Sequence, residues 1–307
     1  MSPGYDTNRT VYTFAGEPEA VLTAAFEAIK RGSELIDMSA HTGAHPRMGA
    51  CDVCPFVPVS GITMLECADL AHRLGQKVGE GLGIPVFLYE RAASSPGRKN
   101  LADIRSGEYE CLEEMLKNPE WKPDFGPADY SERTKKTGAT VIGAREFLIA
   151  YNINLQSKAK KHASTIAGRI REKGVTVKDK KGRQKKIPGR LKHCKAIGWY
   201  VDEYKKAQVS VNLTDYHVTN MHHAYEAAKE EGIAIGIMVT GSQIVGLVPK
   251  RALIEAGLFY LSKKGQAAFV SEKESLEAAV RSLGLNDLAV FDPDEKIIEY
   301  LIGEKFT

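Results

Sequence analysis

The sequence predicts an α/β (α+β) chain of two subdomains, and three observations carry that expectation. Strand-like and helix-like segments alternate from Asn8 to Tyr89, a strictly alternating strand at Phe147 to Leu155 opens a second such series, and no short-period repeat points to a solenoid. The 307 residues, 43% hydrophobic and 26% charged, are enough for two cores and exclude disordered, collagen-like and disulfide-scaffold classes.

The first half reads in order. Asn8 to Phe14 alternates as a strand, and Pro18 opens a helix with the stripe Ala20, Val21, Ala24, Ala25, Ala28 and Ile29, closed by Gly32. A Gly/His/Pro-rich loop runs from Ser39 to Cys51, and Val53 to Val59 follows as a strand whose two prolines mark an edge. Thr63 and Glu66 form a capping box for a helix to about Gly81, and Ile84 to Tyr89 is the next strand. Gly79, Gly81 and Gly83 follow a helix rather than a strand, so they mark its end and not a dinucleotide site. A long polar stretch to Thr137 contains a short helix at Glu110 to Lys117 and the loop Asp124-Phe125-Gly126-Pro127, and a loop of that length is usually functional.

In the second half Phe147 to Leu155 sets Phe147, Ile149, Tyr151, Ile153 and Leu155 on one face. A helix from Ser157 to Lys173, a hairpin around Lys180-Lys181-Gly182, strands at Ala196 to Tyr200 and Gln208 to Tyr216, a helix from Thr219 and a strand at Ile233 to Thr240 follow. That β-α-β-β-α-β order is the ferredoxin-like, or split βαβ, pattern. Helices at Pro249 to Tyr260, Ser271 to Leu283 and Pro293 to Ile302 end the chain. Two such subdomains packed side by side, residues 1–147 and 148–307, would hold a ligand in the crevice between them.

Charge and thiols narrow the function classes. Lys158 to Lys195 carries 15 Lys and Arg against Glu172 and Asp179, although the whole chain is only +3. One cationic segment on an otherwise acidic body argues against a nucleic-acid binder, and the segment lacks the interleaved aromatics that stack on bases. Cys51, Cys54, Cys67, Cys111 and Cys194 are an odd, scattered set, as expected of reduced thiols, and neither a signal peptide nor a membrane-length apolar run occurs, so a cytoplasmic protein without membrane contact is expected.

The densest chemistry lies in Asp37 to Cys54, with two imidazoles, two carboxylates, a guanidinium and two thiols on one glycine-flexed loop. A histidine here suits general acid/base work near neutral pH, with Asp37 or Asp52 to orient it and Arg47 to hold a carboxylate through two parallel hydrogen bonds. The spacing H-x3-H-x5-C-x2-C of His41, His45, Cys51 and Cys54 also allows a zinc site, although it lacks the separation usual between zinc ligand pairs. Gly241-Ser242-Gln243, after an apolar strand, is a further candidate for lining a crevice.

These residues carry a resemblance. IDMSAHTGAHPRMGACDVCPFVPV, with NRTVYTF before it and DFGP, GAREFLIAYNINL, IGWYVDE, QVSVNLTDY and GSQIVGLVP after it, resembles the glutamate formimidoyltransferase family over essentially the whole chain. The resemblance implies transfer of the formimino group from N-formimino-L-glutamate to tetrahydrofolate, the co-substrate, giving 5-formiminotetrahydrofolate and L-glutamate in histidine degradation. It makes His45 the catalytic histidine, with His41 accompanying it at the substrate, and places folate along Gly126, Pro127, Ala128, Asp129, Tyr130 and on to Gly138. Arg47 and Arg145 are the candidates for the carboxylates of formiminoglutamate, and Asp37 or Asp52 for orienting His45. No metal is expected; a homodimer is, as are coupling to a formiminotetrahydrofolate cyclodeaminase and a folate that carries a polyglutamate tail. Family members begin with a further strand and helix before the segment matching Asn8, so the first subdomain is expected to lack them. Glutamate formyltransferase activity, a truncated or inactive folate-binding paralogue, and a zinc hydrolase stay as alternatives.

Overall fold

Three apolar runs in the first half, VCPF, VFLYE and TVIGA, can each bury both faces, and they meet in one parallel sheet. The computed structural model describes residues 2–4, 8–43, 46–178 and 182–303, and the chain divides into two units, Met1–Glu146 and Phe147–Thr307. In the first unit β1 (Ser2–Gly4) pairs antiparallel with β2 (Arg9–Val11), and α1 (Pro18–Leu35) follows. Then come β3 (Val53–Phe56), α2 (Met64–Leu82), β4 (Val86–Glu90), the short helices α3 (Leu101–Ile104), α4 (Leu112–Lys117) and α5 (Glu132–Thr137), and β5 (Thr140–Ala144).

The sheet order is β3-β5-β4, all parallel, so Pro55 lies on an edge strand as the sequence requires, and the expected strand stops at Phe56, short of Pro58. The strand expected at Asn8 to Phe14 shortens to β2, with Tyr12 and Phe14 exposed. The first unit therefore differs from the expected split pattern, because its central strand is parallel to both neighbours. That strand, β5, is the one the sequence analysis passes over: it is continuously buried and so shows no alternation. Along β4, Val86 and Leu88 face α2 and α1, while Phe87 and Tyr89 face α3, α4 and Met48. α1 buries Leu22, Ala25, Ile29 and Ser33, a face rotated from the expected alanine stripe toward the larger Leu22. The Thr63 capping box forms as expected: the Thr63 hydroxyl accepts from Glu66 N–H and Glu66 accepts from Thr63 N–H.

The second unit contains β6 (Ile149–Leu155), α6 (Lys160–Ile170), β7 (Val175–Lys178), β8 (Gln184–Ile187), β9 (Cys194–Val201), β10 (Lys206–Leu213), α7 (Met221–Ala234) and β11 (Val239–Val245). α8 (Lys250–Ser262), α9 (Glu272–Ser282), α10 (Pro293–Lys296) and α11 (Ile298–Leu301) follow. The antiparallel sheet runs β11-β6-β10-β9, which is the split βαβ order. Ile149, Tyr151, Ile153 and Leu155 all face the core, as the alternation predicts. β7 and β8 form a hairpin; Asp179 to Lys181, its expected tip, lie outside the described residues. The strand expected at Ile233 to Thr240 is displaced: α7 runs through Ala234, its end closes with Ile237 N–H donating to the Gly232 carbonyl, and the strand starts at Val239. Short apolar runs do not by themselves separate helix from strand. Among the described residues no helix is long and apolar enough to cross a membrane. All five cysteines are free thiols.

Candidate functional site

Arg47 is buried, and its guanidinium gathers the site. Nη1 donates to Glu110 Oε2 at 2.8 Å and Glu108 Oε2 at 3.2 Å, and Nη2 donates to Glu110 Oε1 at 2.6 Å and the His41 carbonyl at 3.0 Å. Nε donates to His41 Nδ1 at 3.4 Å. The fork-to-fork pair with Glu110 raises the Arg47 pKa and lowers that of the Glu110 carboxyl. His41 is in turn fixed as the Nε2–H tautomer, since Nδ1 accepts from Arg47 while Nε2 lies 2.7 Å from the Asn8 carbonyl oxygen. Thr42, Gly43, Arg47, Gly107, Glu108 and Glu110 bound an open cavity of about 360 Å³. His45, the candidate acid/base, lies outside the described residues, two positions after Gly43 in the chain.

The loop after Arg47 is stitched to the end of the long polar stretch. Gly49 and Gly138 form an antiparallel bridge, Ala139 N–H donates to the Met48 carbonyl and Ala50 N–H to the Thr137 carbonyl. Gly138 has φ +65°, and a Cβ there would fall on the Met48 carbonyl oxygen, so only glycine allows this approach. Tyr109 N–H donates to the Arg47 carbonyl, and its hydroxyl receives a hydrogen bond from Tyr130 while donating to the Lys135 carbonyl. The segments 41–43, 46–50, 107–111 and 130–139 thus form one connected patch.

A family model for the formiminotransferase domain, N-terminal subdomain, matches residues 1–145, and one for the formiminotransferase domain matches residues 150–303. The chain belongs to the formiminotransferase family. It is 51% identical over 305 residues to the formimidoyltransferase-cyclodeaminase of Mus musculus, covering 99% of this chain and 54% of that protein. The chain therefore spans about half the length of these two-activity relatives. It is 43% identical to the glutamate formimidoyltransferase of Thermoplasma acidophilum, covering 86% of this chain and 82% of that protein. With the one from Streptococcus pyogenes the identity is 39%, over 83% of this chain and 79% of that protein.

Within this formiminotransferase chain the expected site residues separate into groups. His41, Arg47, Tyr130 and Gly138 belong to the connected patch above. Gly126 has φ +83°, and a Cβ there would fall on the Ile84 carbonyl oxygen; Phe125 N–H and C=O both bond Val86. Gly126 thus seats the start of the loop, Pro127 is half-buried, and Ala128 and Asp129 are exposed. Among the described residues Asp37 and Asp52 have the following partners. Asp37 caps the turn Met38–Ala40 by accepting from the Ser39 hydroxyl and N–H, which lower its pKa. Asp52 accepts from Met48 N–H at 2.9 Å and from Arg105 Nη2, with Arg9 Nη1 at 3.8 Å, and so shapes the loop.

Arg145 is set apart from Arg47. Gly138 precedes the start of β5 and Arg145 follows its end, so the whole length of that strand, ~16 Å, lies between them. Arg145 donates to the Glu146 carbonyl and its N–H bonds the Phe56 carbonyl. Arg47, with every donor spent, is not the open carboxylate clamp the sequence suggests. Glu108, Tyr109, Glu110 and Arg105 are the residues the sequence analysis misses; no local pattern marks them, because the side-chain partners of Glu108, Glu110 and Arg105 lie more than 50 residues away and those of Tyr109 lie 21 and 26 away. The zinc spacing also dissolves: Cys51 and Cys54 pack against the core of α1 and α2, burial pushes the Cys51 thiol up to about 12 and that of Cys54 higher, and His41 spends both ring nitrogens. Among the described residues no three His, Cys, Asp or Glu side chains group for a metal. Ser242 lies inside β11, donates to the Leu283 carbonyl and accepts from Tyr151, so Gly241-Ser242-Gln243 is structural.

Proposed function

We propose that this chain is a glutamate formimidoyltransferase, moving the formimino group from N-formimino-L-glutamate to tetrahydrofolate. The observation that carries the proposal is the stitched patch itself. The loop bearing His-Pro-Arg-Met-Gly-Ala meets the end of the 126–138 segment through Gly49 and Gly138, in a chain that is 43% and 39% identical to two proteins named for this activity.

In the proposed reaction N5 of tetrahydrofolate attacks the amidine carbon, forming the new C–N bond and shedding its proton. The C–N bond to glutamate then breaks, and the departing nitrogen takes up a proton. One imidazole can serve both transfers, and His45 is the residue in that role. Gly126, Pro127, Ala128, Asp129, Tyr130 and Gly138 line the folate path. His41 and Arg47 hold the wall beside the donor, and Asp37 and Asp52 brace the loop that carries His45. The products are 5-formiminotetrahydrofolate and L-glutamate. A cyclodeaminase acting on the first of these is the natural consumer, and the mouse relative carries that second activity in its name. A homodimer in the cytoplasm belongs to the same proposal.

The test is transfer by the purified chain, followed as 5,10-methenyltetrahydrofolate after acidification. His45→Gln is expected to lower kcat by about 100-fold or more. Near-wild-type transfer by that variant would remove His45 from the chemistry. Folded wild type that binds tetrahydrofolate without transfer would make the chain a folate binder instead.

A further inference from the structure

Arg47 has five N–H donors, and each has an acceptor: His41 Nδ1, the His41 carbonyl, Glu108 and Glu110 twice. A substrate carboxylate arriving here would find no open N–H on the guanidinium. The cavity wall instead carries two carboxylates against one guanidinium, a balance that favours a cation. Glu110 gives both oxygens to Arg47, whereas Glu108 gives only Oε2. Among the described residues Glu108 Oε1 has no hydrogen-bond partner, and its side chain is 39% exposed.

Resting on the proposed reaction, we infer that Glu108 is the specificity-determining residue that recognises the formimino group as an amidinium cation. An N-alkylformamidine is protonated at neutral pH and planar, with two N–H groups along one edge. That is the fork geometry by which a guanidinium meets a carboxylate. N-Formyl-L-glutamate has nearly the same shape, but it is neutral at that end and presents a carbonyl oxygen where the amidinium presents NH₂. Facing Glu108, the oxygen is repelled and the carboxylate is left unpaired, a penalty larger than any loss of apolar contact. Arg47 is then a positioning residue, holding Glu108 by one oxygen while Glu110 neutralises the guanidinium. Keeping the amidine protonated also keeps its carbon electrophilic toward an attacking amine.

The experiment compares N-formimino-L-glutamate with N-formyl-L-glutamate on the full chain, by calorimetric binding and by kcat/KM, for wild type, Glu108→Gln and Glu108→Asp. Wild type is expected to prefer the formimino donor, and Glu108→Gln to lower that preference about 10- to 100-fold. Glu108→Asp, which retains the charge, should fall between them and guards against a variant that fails only by misfolding. An unchanged preference in Glu108→Gln, equal losses for both donors, or a wild type that binds the two alike would overturn the inference. Selective binding without any transfer would fail the proposed reaction while supporting the recognition. Transfer with an unchanged preference would fail the recognition alone.

Discussion

His222 and His223 bring their Nε2 atoms to 3.1 Å, so one ring donates and the other accepts. His223 Nδ1 accepts from Asn220 N–H, which puts the His223 proton on Nε2 and leaves the His222 proton on Nδ1. That Nδ1 is buried with no partner. Burial, with His223 adding to it, lowers the His222 pKa to about 4. The unfolded chain therefore takes up a proton first as pH falls. The stabilisation is complete above the unfolded pKa near 6.5 and is lost on descent toward 4, about 3 kcal/mol in all. The urea midpoint of the wild type should fall between about pH 7 and about pH 5. His222→Phe, which preserves the stack on Phe259 at 4.4 Å, should flatten that dependence; an equal fall in the variant would remove His222 as the cause. The helix expected from Thr219 takes in both histidines, but the tautomers depend on the Asn220 N–H and on the contact between the two rings, which are invisible in the sequence.

At the scale of elements, the bridge between Gly49 and Gly138 holds the motif loop against the end of the 126–138 segment. Gly138→Ala adds a methyl at φ +65° against the Met48 carbonyl, and should cost about 2 kcal/mol or more. Its unfolding midpoint should drop, and KM for tetrahydrofolate should rise with it; a variant of wild-type stability would show that the bridge yields easily. The elements that can be read from sequence are those with a local signature: the Thr63 cap of α2, the alternation of β6 and Pro55 in edge strand β3. β5 has none, being buried on both faces between β3 and β4, and the start of β11 was misplaced because IAIGIM suits either a helix end or a strand.

Across the whole molecule the charge is uneven. α6 and the β7–β8 hairpin carry most of the cationic excess, and Glu230 and Glu231 of α7 pair with Arg169 and Arg190, leaving Lys178, Lys185 and Lys186 exposed on the hairpin. A solvated face explains most of this. If the remainder attracts the polyglutamate tail of a folate, KM for the polyglutamylated substrate should rise with ionic strength while that for the monoglutamate stays level. A salt-insensitive KM for the polyglutamylated form would assign the segment to solubility alone.

The order of elements apart from β5 and the start of β11, the alternation of β6, the Thr63 cap and the motif around His45 are properties of neighbouring residues and are legible in the chain alone. The guanidinium partners were decided only by tertiary structure. Arg47 meets Glu110 from 63 positions away and Arg105 meets Asp52 from 53, because chain packing brings 46–52 and 105–111 together at one end of a parallel sheet. Local periodicity carries no record of such pairs, so Arg47 reads from sequence as an open clamp for a substrate carboxylate. In the folded chain it is a filled one that aims a carboxylate of its own.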